Sequence, residues 1–259
     1  MNKLKFGTQI YTFREYCRTP KLFSKTMFKI AEMGFKYVQL SDGLGEEVTK
    51  EMLLEESQKN GLTVGLTHWD DDQIINNTEE VIEFHDRLGC DGIGIGGMPR
   101  EFRNRDGYLK FIDKYGKAIE KIGKAGKHFC YHNHWFEFER FDGKWGIDIL
   151  LDNAPDGFAL TCDTAWVARA GVDVAKFITE RADKIYATHL KDMTIINDEV
   201  NLSEMLTGNM NFDPIMKAIA KSGIEWNFLE QDWINTMNTF DSVRVSRENM
   251  LNAYPQFLK

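Results

Sequence analysis

Phe129-Cys130-Tyr131-His132-Asn133-His134-Trp135-Phe136-Glu137 is an apolar run that breaks into two imidazoles and a carboxylate. Two of the six histidines of the chain sit here. Polar groups at the end of a buried strand cost free energy unless they bind something, so this strand reads as one that delivers chemistry at its C-terminal end. Other apolar runs finish the same way. Leu160-Thr161-Cys162-Asp163 stops at a carboxylate, and Ile185-Tyr186-Ala187-Thr188-His189 stops at an imidazole followed by Lys191 and Asp192. Asn227-Phe228-Leu229-Glu230 ends in a carboxylate followed by Gln231 and Asp232, and Thr63-Val64-Gly65-Leu66-Thr67-His68 in an imidazole. One such strand is commonplace. Several in succession point to a shared rim.

Working outward, short apolar runs alternate with longer amphipathic ones along the whole chain. Strands are predicted at Lys5–Phe13, Tyr37–Ser41, Thr63–His68, Gly92–Gly96, Phe129–Asn133, Ala159–Asp163, Tyr186–Leu190 and Asn227–Gln231. Helices fill the gaps: Pro20–Met33, Thr49–Lys59, Asn77–Leu88, Tyr108–Ala125, Ile147–Asp152, Val172–Ala182, Asp213–Ser222 and Ser242–Ala253. Gly34, Gly61, Gly89, Gly126 and Gly223 each stand where a helix should stop, and Thr78, Asp173 and Asp213 are expected N-caps. Strict βα alternation over 259 residues predicts an α/β fold, a (β/α)8 TIM barrel forming a single domain over 1–259. A doubly wound sheet wants a glycine-rich phosphate turn after its first strand, which Gly7-Thr8-Gln9-Ile10-Tyr11 does not supply. Gly92-Ile93-Gly94-Ile95-Gly96-Gly97 lacks the required order before a helix and reads as a tightly packed barrel strand.

With 42% hydrophobic and 28% charged residues the chain can build a full core and remain soluble. A net charge of −8 argues against a nucleic-acid or membrane-surface partner, both of which call for basic patches. No apolar run approaches the ~20 residues of a membrane span, and Met1-Asn2-Lys3-Leu4-Lys5 leads into a strand rather than a signal peptide. Cys17, Cys90, Cys130 and Cys162 show no CxxC spacing; they are expected to be reduced residues of a cytoplasmic protein.

In such a barrel the active site lies at the C-terminal mouth, where every polar strand end falls. Glu137, Asp163, His189 and Glu230 would then form a set of three carboxylates and one imidazole from strands five to eight. That set suits a divalent metal, with Mn²⁺ the expected ion and Mg²⁺, Co²⁺ or Zn²⁺ admitted. Taken singly, each residue has a plainer reading: Asp163 or Glu230 as a salt-bridged carboxylate, His189 as a satisfied core histidine, Asp192 as the cap of a turn. His85 and His128 are assigned no function.

The sequence resembles the xylose-isomerase-like TIM barrels, which include sugar and sugar-phosphate isomerases and epimerases, dehydratases of inososes, and endonuclease IV. The resemblance rests on Tyr131-His132-Asn133-His134-Trp135-Phe136-Glu137-Phe138, Cys162-Asp163-Thr164-Ala165-Trp166 with Arg169-Ala170-Gly171, His189-Leu190-Lys191-Asp192, and Phe228-Leu229-Glu230-Gln231-Asp232. It implies metal ligands at Asp163, His189 and Glu230. Many relatives carry Glu-Asn-His where this chain has His132-Asn133-His134. Either His132 ligates or Glu137 reaches back; Glu137 is the expectation, because an oxygen-preferring ion gains more from a third carboxylate, and His132 then touches substrate or supports a ligand. Leu206-Thr207-Gly208-Asn209 stands where relatives often carry Gly-Glu-Gly, which removes whatever that glutamate does.

The implied activity is proton transfer beside a carbonyl of a small carbohydrate, through a metal-stabilised enediolate. Isomerisation, epimerisation and β-elimination from a keto-sugar or 3-keto-glycoside share that route. His134 is the expected base, Glu230 a ligand able to act as base, and Lys191 a stabiliser of charge on substrate oxygen. His68, Trp69, Trp166 and Asp232 are expected to bind the sugar, with Trp135 and Trp233 alongside. Arg100, Arg103 and Arg105 are the candidates for docking a phosphate, although a solvated loop is the plainer reading of that stretch. An endonuclease-type phosphodiesterase would need more histidines and a basic face. A non-catalytic sugar-binding or scaffold barrel is the contrasting class, and association into homo-oligomers is left open.

Overall fold

The computed structural model describes residues 3–41, 44–234 and 237–258. Eight parallel strands close on themselves: β1 (Lys5–Gln9), β2 (Tyr37–Ser41), β3 (Thr63–His68), β4 (Gly92–Ile95), β5 (His128–His132), β6 (Phe158–Asp163), β7 (Ile185–Leu190) and β8 (Trp226–Leu229). Each pairs with its neighbours in sequence, and β1 completes the ring by pairing Lys5 with Trp226 through Thr8 with Leu229. The (β/α)8 expectation is met. Around the ring lie α1 (Pro20–Glu32), α2 (Lys50–Lys59), α3 (Asp71–Asn76), α4 (Thr78–Leu88), α5 (Arg105–Lys124), α6 (Gly146–Asn153), α7 (Thr164–Arg169), α8 (Val174–Glu180), α9 (Phe212–Ser222) and α10 (Thr239–Ala253).

Apolar burial is divided between two compartments. The larger packs helices onto the outside of the barrel and includes Phe111, Tyr115, Tyr131, Leu160 and Phe177. The smaller plugs the barrel interior with Leu66, Cys130, Ala159, Ala187, Trp226 and Phe228, Tyr37 and Tyr186 packing against them. Side chains alternate along a strand, so the residue two positions beyond a plug residue also faces inward. Those positions are His68, His132, Thr161 then Asp163, His189 and Glu230.

Gly65 leaves room for the plug, since a Cβ there would run into the Trp226 ring. Gly94 confirms the tightly packed reading of its strand: a Cβ would lie 2.7 Å from Cys130 O and 2.8 Å from Thr67 O. The five glycines expected at helix ends all adopt positive φ, between 63° and 88°.

Several boundaries differ from expectation. The first strand stops at Gln9, whose side chain accepts from Tyr11 N and starts a 3-10 turn, Ile10–Tyr16. Asp173 caps α8 as expected through Lys176 N. Thr78 does not cap α4, because its hydroxyl donates back to Ile74 O at 2.7 Å. Asp213 lies inside α9, where Asn211 is the cap and accepts from Asp213 N at 3.3 Å. Two short helices, α3 and α7, and the hairpin Asp192–Ile196/Glu199–Ser203 were not foreseen. All four cysteines are buried and free. Among the described residues no helix is long and apolar enough to cross a membrane.

Candidate active site

The ends of β5 to β8 bring four donor groups together. Asp163 and His189 are direct partners in the β6–β7 register, and His132 sits opposite Thr161 in β5–β6. Glu230 follows β8 and ties its backbone N to Leu190 O at 3.3 Å. One donor atom from each of His132, Asp163, His189 and Glu230 falls within 4.8 Å of all the others, and all four residues are buried.

Both imidazoles are oriented from behind. His132 Nδ1 lies 3.0 Å from Gly96 O, and a carbonyl can only accept, so Nδ1 carries the hydrogen. His189 Nε2 lies 2.6 Å from the Gln39 side-chain amide, whose Oε1 is placed towards the ring, and in that orientation Nε2 carries the hydrogen. The opposite nitrogens then present lone pairs to carboxylates: His132 Nε2 at 3.1 Å from Asp163 Oδ2, and His189 Nδ1 at 2.7 Å from Glu230 Oε2. Lone pair against carboxylate is repulsive unless a proton or a cation lies between them. His189 Nδ1 and Glu230 Oε2 have no aligned hydrogen-bond partner. The set of two nitrogens, on imidazoles braced by outer partners, and two carboxylate oxygens fits a divalent ion.

Lys191 already answers part of this demand. Its fully buried ammonium lies 2.9 Å from Asp163 Oδ2 and 2.7 Å from both Glu230 Oε2 and Asp232 Oδ2. Burial alone would lower its pKa, but the three carboxylates outweigh that and hold it well above the ordinary lysine value. Burial opposes ionisation of Asp163 too, yet Lys191 and His132 bring its pKa down to about 2. Glu230 is likewise held well below the ordinary carboxylate range against its burial, by His189 and Lys191. Burial works against the His132 cation, but the hydrogen bond and charge of Asp163 raise its pKa overall.

Glu137 is placed otherwise than expected. It is fully buried but lies in the 3-10 turn Phe136–Phe138, and its carboxylate folds back onto the outer face of β5. There it accepts from Tyr131 Oη at 2.6 Å and from His134 N at 2.8 Å. Tyr131 points outward from the strand, so a carboxylate bound to it stands outside the barrel wall, and His132 occupies the fifth-strand place among the four donors. Burial raises the Glu137 pKa to about 7. His134 projects near both: Nδ1 is 4.0 Å from Glu137 Oε1 and unpartnered, while the ring stacks between Phe136 and Trp166. Burial, aided by His132 and Lys191, lowers its pKa to about 3, so the imidazole is neutral at working pH and does not titrate near it.

Among the expected sugar contacts, Trp69 is misplaced. It faces outward and packs on Phe84 and His85 under α4, with ring centroids 5.2 Å from each. His68, on the inward face, stands 5.6 Å from the rings of both His132 and His189. Trp166 roofs the site with the Lys191 ammonium 5.0 Å from its ring, and Trp135 and Trp233 flank it at 5.0 and 6.2 Å. Trp135 and Trp233 are exposed. Arg103 is not free for a phosphate, because Nε and Nη2 both donate to Met98 O; Arg105 pairs with Asp142 at 2.9 Å. No convergent basic cluster forms from these arginines.

Three residues with important contacts were not anticipated in their roles. Gln9 and Gln39 are fully buried and brace His68 and His189. Their signal was a glutamine inside an apolar strand. Asp192 does far more than cap one turn: its carboxylate accepts from the backbone N of Met193, Leu206, Gly208 and Met210 at 2.8 to 3.2 Å. It thereby pins the hairpin after β7 and the following turn, where Leu206 adopts a φ of 65°.

Comparison with known proteins agrees with this architecture. A search of curated protein sequences finds no match. Among solved structures, a sugar phosphate isomerase/epimerase from Parabacteroides distasonis superposes with a TM-score of 0.77 at 18% identity, covering 96% of this chain and 98% of that one. An L-ribulose 3-epimerase gives 0.72 at 16% identity over 99% and 95% of the two chains. An IOLI protein with a bound zinc atom gives 0.72 at 12% identity over 99% and 100%. Residues 28–250 match the family model described as the xylose isomerase-like TIM barrel, and the chain belongs to that family.

Proposed function

We propose that this protein is a divalent-metal-dependent isomerase or epimerase of a sugar or keto-sugar. The observation that carries the reading is the convergence of two imidazole lone pairs and two carboxylates at the barrel mouth, beside a buried ammonium. His132, Asp163, His189 and Glu230 would hold the ion; two nitrogens in place of the expected one broaden the choice from Mn²⁺ towards Zn²⁺ and Co²⁺. When bound, the ion supplies Lewis acidity to a carbonyl and its neighbouring hydroxyl. Lys191 adds a fixed positive charge next to Glu230, suited to a substrate oxygen that gains negative charge. Trp166 closes the pocket against water and offers an aromatic face to the sugar.

For the proton, His134 acts as an arm rather than as a store. Its neutral ring accepts at one nitrogen and can pass the charge towards Glu137, 4.0 Å away. Glu137, with a pKa of about 7, holds or releases a proton at working pH. Glu230, on the other side of the donor cluster, is the candidate for the opposite substrate face. Burial of all four thiols supports a reducing, cytoplasmic setting.

β-Elimination from a keto-glycoside is the second reading. It is favoured by the exposed Trp135 and Trp233, which extend the aromatic wall beyond Trp166, further than one sugar ring requires. Incubating the protein with keto-sugars, aldoses and 3-keto-glycosides in D₂O with Mn²⁺ or Zn²⁺, followed by NMR, tests both. Deuterium at an α-carbon supports isomerisation or epimerisation, and a released aglycone supports elimination. His134→Gln should abolish exchange and keep the metal; loss of metal would show that His134 is a ligand. No exchange or cleavage of any substrate, with no metal bound and no effect of EDTA, would return the protein to the scaffold class.

A further inference from the structure

We infer that Gln9 fixes His68 as a neutral imidazole with its hydrogen on Nε2, making His68 a hydrogen-bond donor to the substrate oxygen on which negative charge builds, and not a metal ligand. This rests on the reaction proposed above. The chain of assignment starts from a backbone amide, which can only donate. Tyr11 N lies 3.1 Å from one end of the Gln9 amide, so that end is Oε1. Ser41 Oγ lies 3.4 Å from the same atom and donates to it as well. The other end is therefore the NH₂ group, and it lies 3.4 Å from His68 Nδ1. An amide nitrogen has no lone pair to offer, so Nδ1 must accept. A neutral imidazole that accepts at Nδ1 carries its hydrogen on Nε2.

The remaining N–H is the feature that needs a purpose. His68 Nε2 is closed off from solvent and has no hydrogen-bond partner among the described residues, an unfavourable state for a buried donor. An Nδ1 that accepts from the Gln9 NH₂ carries no hydrogen, so the ring is not an imidazolium. Leu66, two residues earlier, belongs to the barrel plug, so His68 faces inward with it. A metal ligand at this position would need a lone pair on Nε2 and hence a hydrogen on Nδ1, pointing at the Gln9 NH₂. Two donors cannot face each other. A neutral imidazole N–H that polarises a substrate oxygen is a known solution to enediolate chemistry, and it works because the weak acid gives a strong donor without losing its proton. His68 is thus assigned as a catalytic residue and Gln9 as its positioning residue.

The test is the tautomer itself. In ¹⁵N-histidine-labelled wild-type protein, long-range ¹H–¹⁵N correlation at neutral pH should show His68 with a protonated Nε2 and a bare Nδ1. Adding Zn²⁺ should shift His132 and His189 and leave the His68 proton in place. Gln9→Glu replaces the donor by an acceptor and should move the hydrogen to Nδ1, with kcat for substrate exchange falling about 10²- to 10³-fold and KM changing little. Should that variant fail to fold, Gln9→Leu removes the donor without imposing a charge and should give a mixture of tautomers. A wild-type ring with its hydrogen on Nδ1, or one that loses the Nε2 hydrogen to Zn²⁺, overturns the inference. Unchanged kcat in a Gln9→Glu protein whose tautomer has reversed overturns the catalytic part. Absence of any substrate exchange in the wild type would instead remove the proposed reaction, and the tautomer spectra would still report on Gln9.

Discussion

Replacing Lys191 by Met should tighten binding of a divalent ion, although the lysine sits at the heart of the site. Its ammonium is 2.9 Å from Asp163 Oδ2 and 2.7 Å from Glu230 Oε2. An ion bonded to those oxygens at about 2.1 Å lies within about 5 Å of Nζ. At an effective dielectric constant of about 20, a single and a double positive charge at that separation repel by about 7 kcal/mol. Asp232, 2.7 Å from the same ammonium, attracts the ion from about 8 Å, worth about 4 kcal/mol. Burial already raises the Asp232 pKa, and without its lysine the carboxyl takes up a proton, so that attraction disappears with the repulsion. The balance favours the variant by about 3 kcal/mol, on the order of 100-fold in Kd. Calorimetric titration of metal-free protein with Zn²⁺ and Mn²⁺ measures it directly, and Lys191→Arg, which keeps the charge, should show no such gain. Equal or weaker binding by Lys191→Met would refute the reasoning and show that the ammonium organises the carboxylates more than it opposes the ion.

Asp192→Asn should destabilise the fold, since an amide can serve only half of the four backbone donors that converge on the carboxylate. Two lost charge-assisted bonds cost about 3–6 kcal/mol, and the thermal midpoint followed by circular dichroism should fall on the order of 10 °C; a fall below about 2 °C would contradict that role. Glu137→Gln tests a pH dependence. The folded carboxyl, at about 7, binds its proton more tightly than the unfolded one at 4.5, so its contribution is present below pH 4.5 and is lost as pH rises through 7. Urea unfolding of the wild type should therefore weaken between pH 5 and pH 8 by on the order of 3 kcal/mol more than that of the variant. Parallel pH profiles would mean that Glu137 is not strained by burial.

The barrel was legible because it repeats: eight apolar runs alternate with amphipathic helices, five of which stop at a glycine of positive φ, and this leaves few alternatives. The polar strand ends were legible for the same reason, and three of the four clustered donors follow from them. Strand phase, more than ligand chemistry, separates His132 from Glu137. Cys130 belongs to the barrel plug, so His132 had to face inward, whereas Glu137 lies beyond the strand in a turn whose path only tertiary packing decides. Trp69 obeys the same phase: it follows the inward-facing His68 and therefore faces out. Gln39 could be seen as a polar residue in an apolar strand, but its partner His189 is 150 positions away, and no local pattern links them. The hairpin after β7 did leave a sign. Asn197-Asp198 occupy a two-residue turn with φ of 51° and 64°, a conformation those residue types tolerate, between alternating apolar positions.

The spacing between plug and mouth sets what this protein can change without losing its chemistry. Each donor strand leaves the plug and, after an even number of steps, presents its active group: Cys130 to His132, Ala159 to Asp163, Ala187 to His189, Phe228 to Glu230. An insertion or deletion of one residue inside any of these intervals would exchange the inward and outward faces, burying an imidazole or carboxylate in the helix layer and turning a wall residue into the pocket. Length changes beyond the strand ends carry no such penalty. Diversification of the substrate would accordingly run through the loops that roof the site, while the distance from Trp226 to Glu230 and its counterparts around the ring stays locked to the residue.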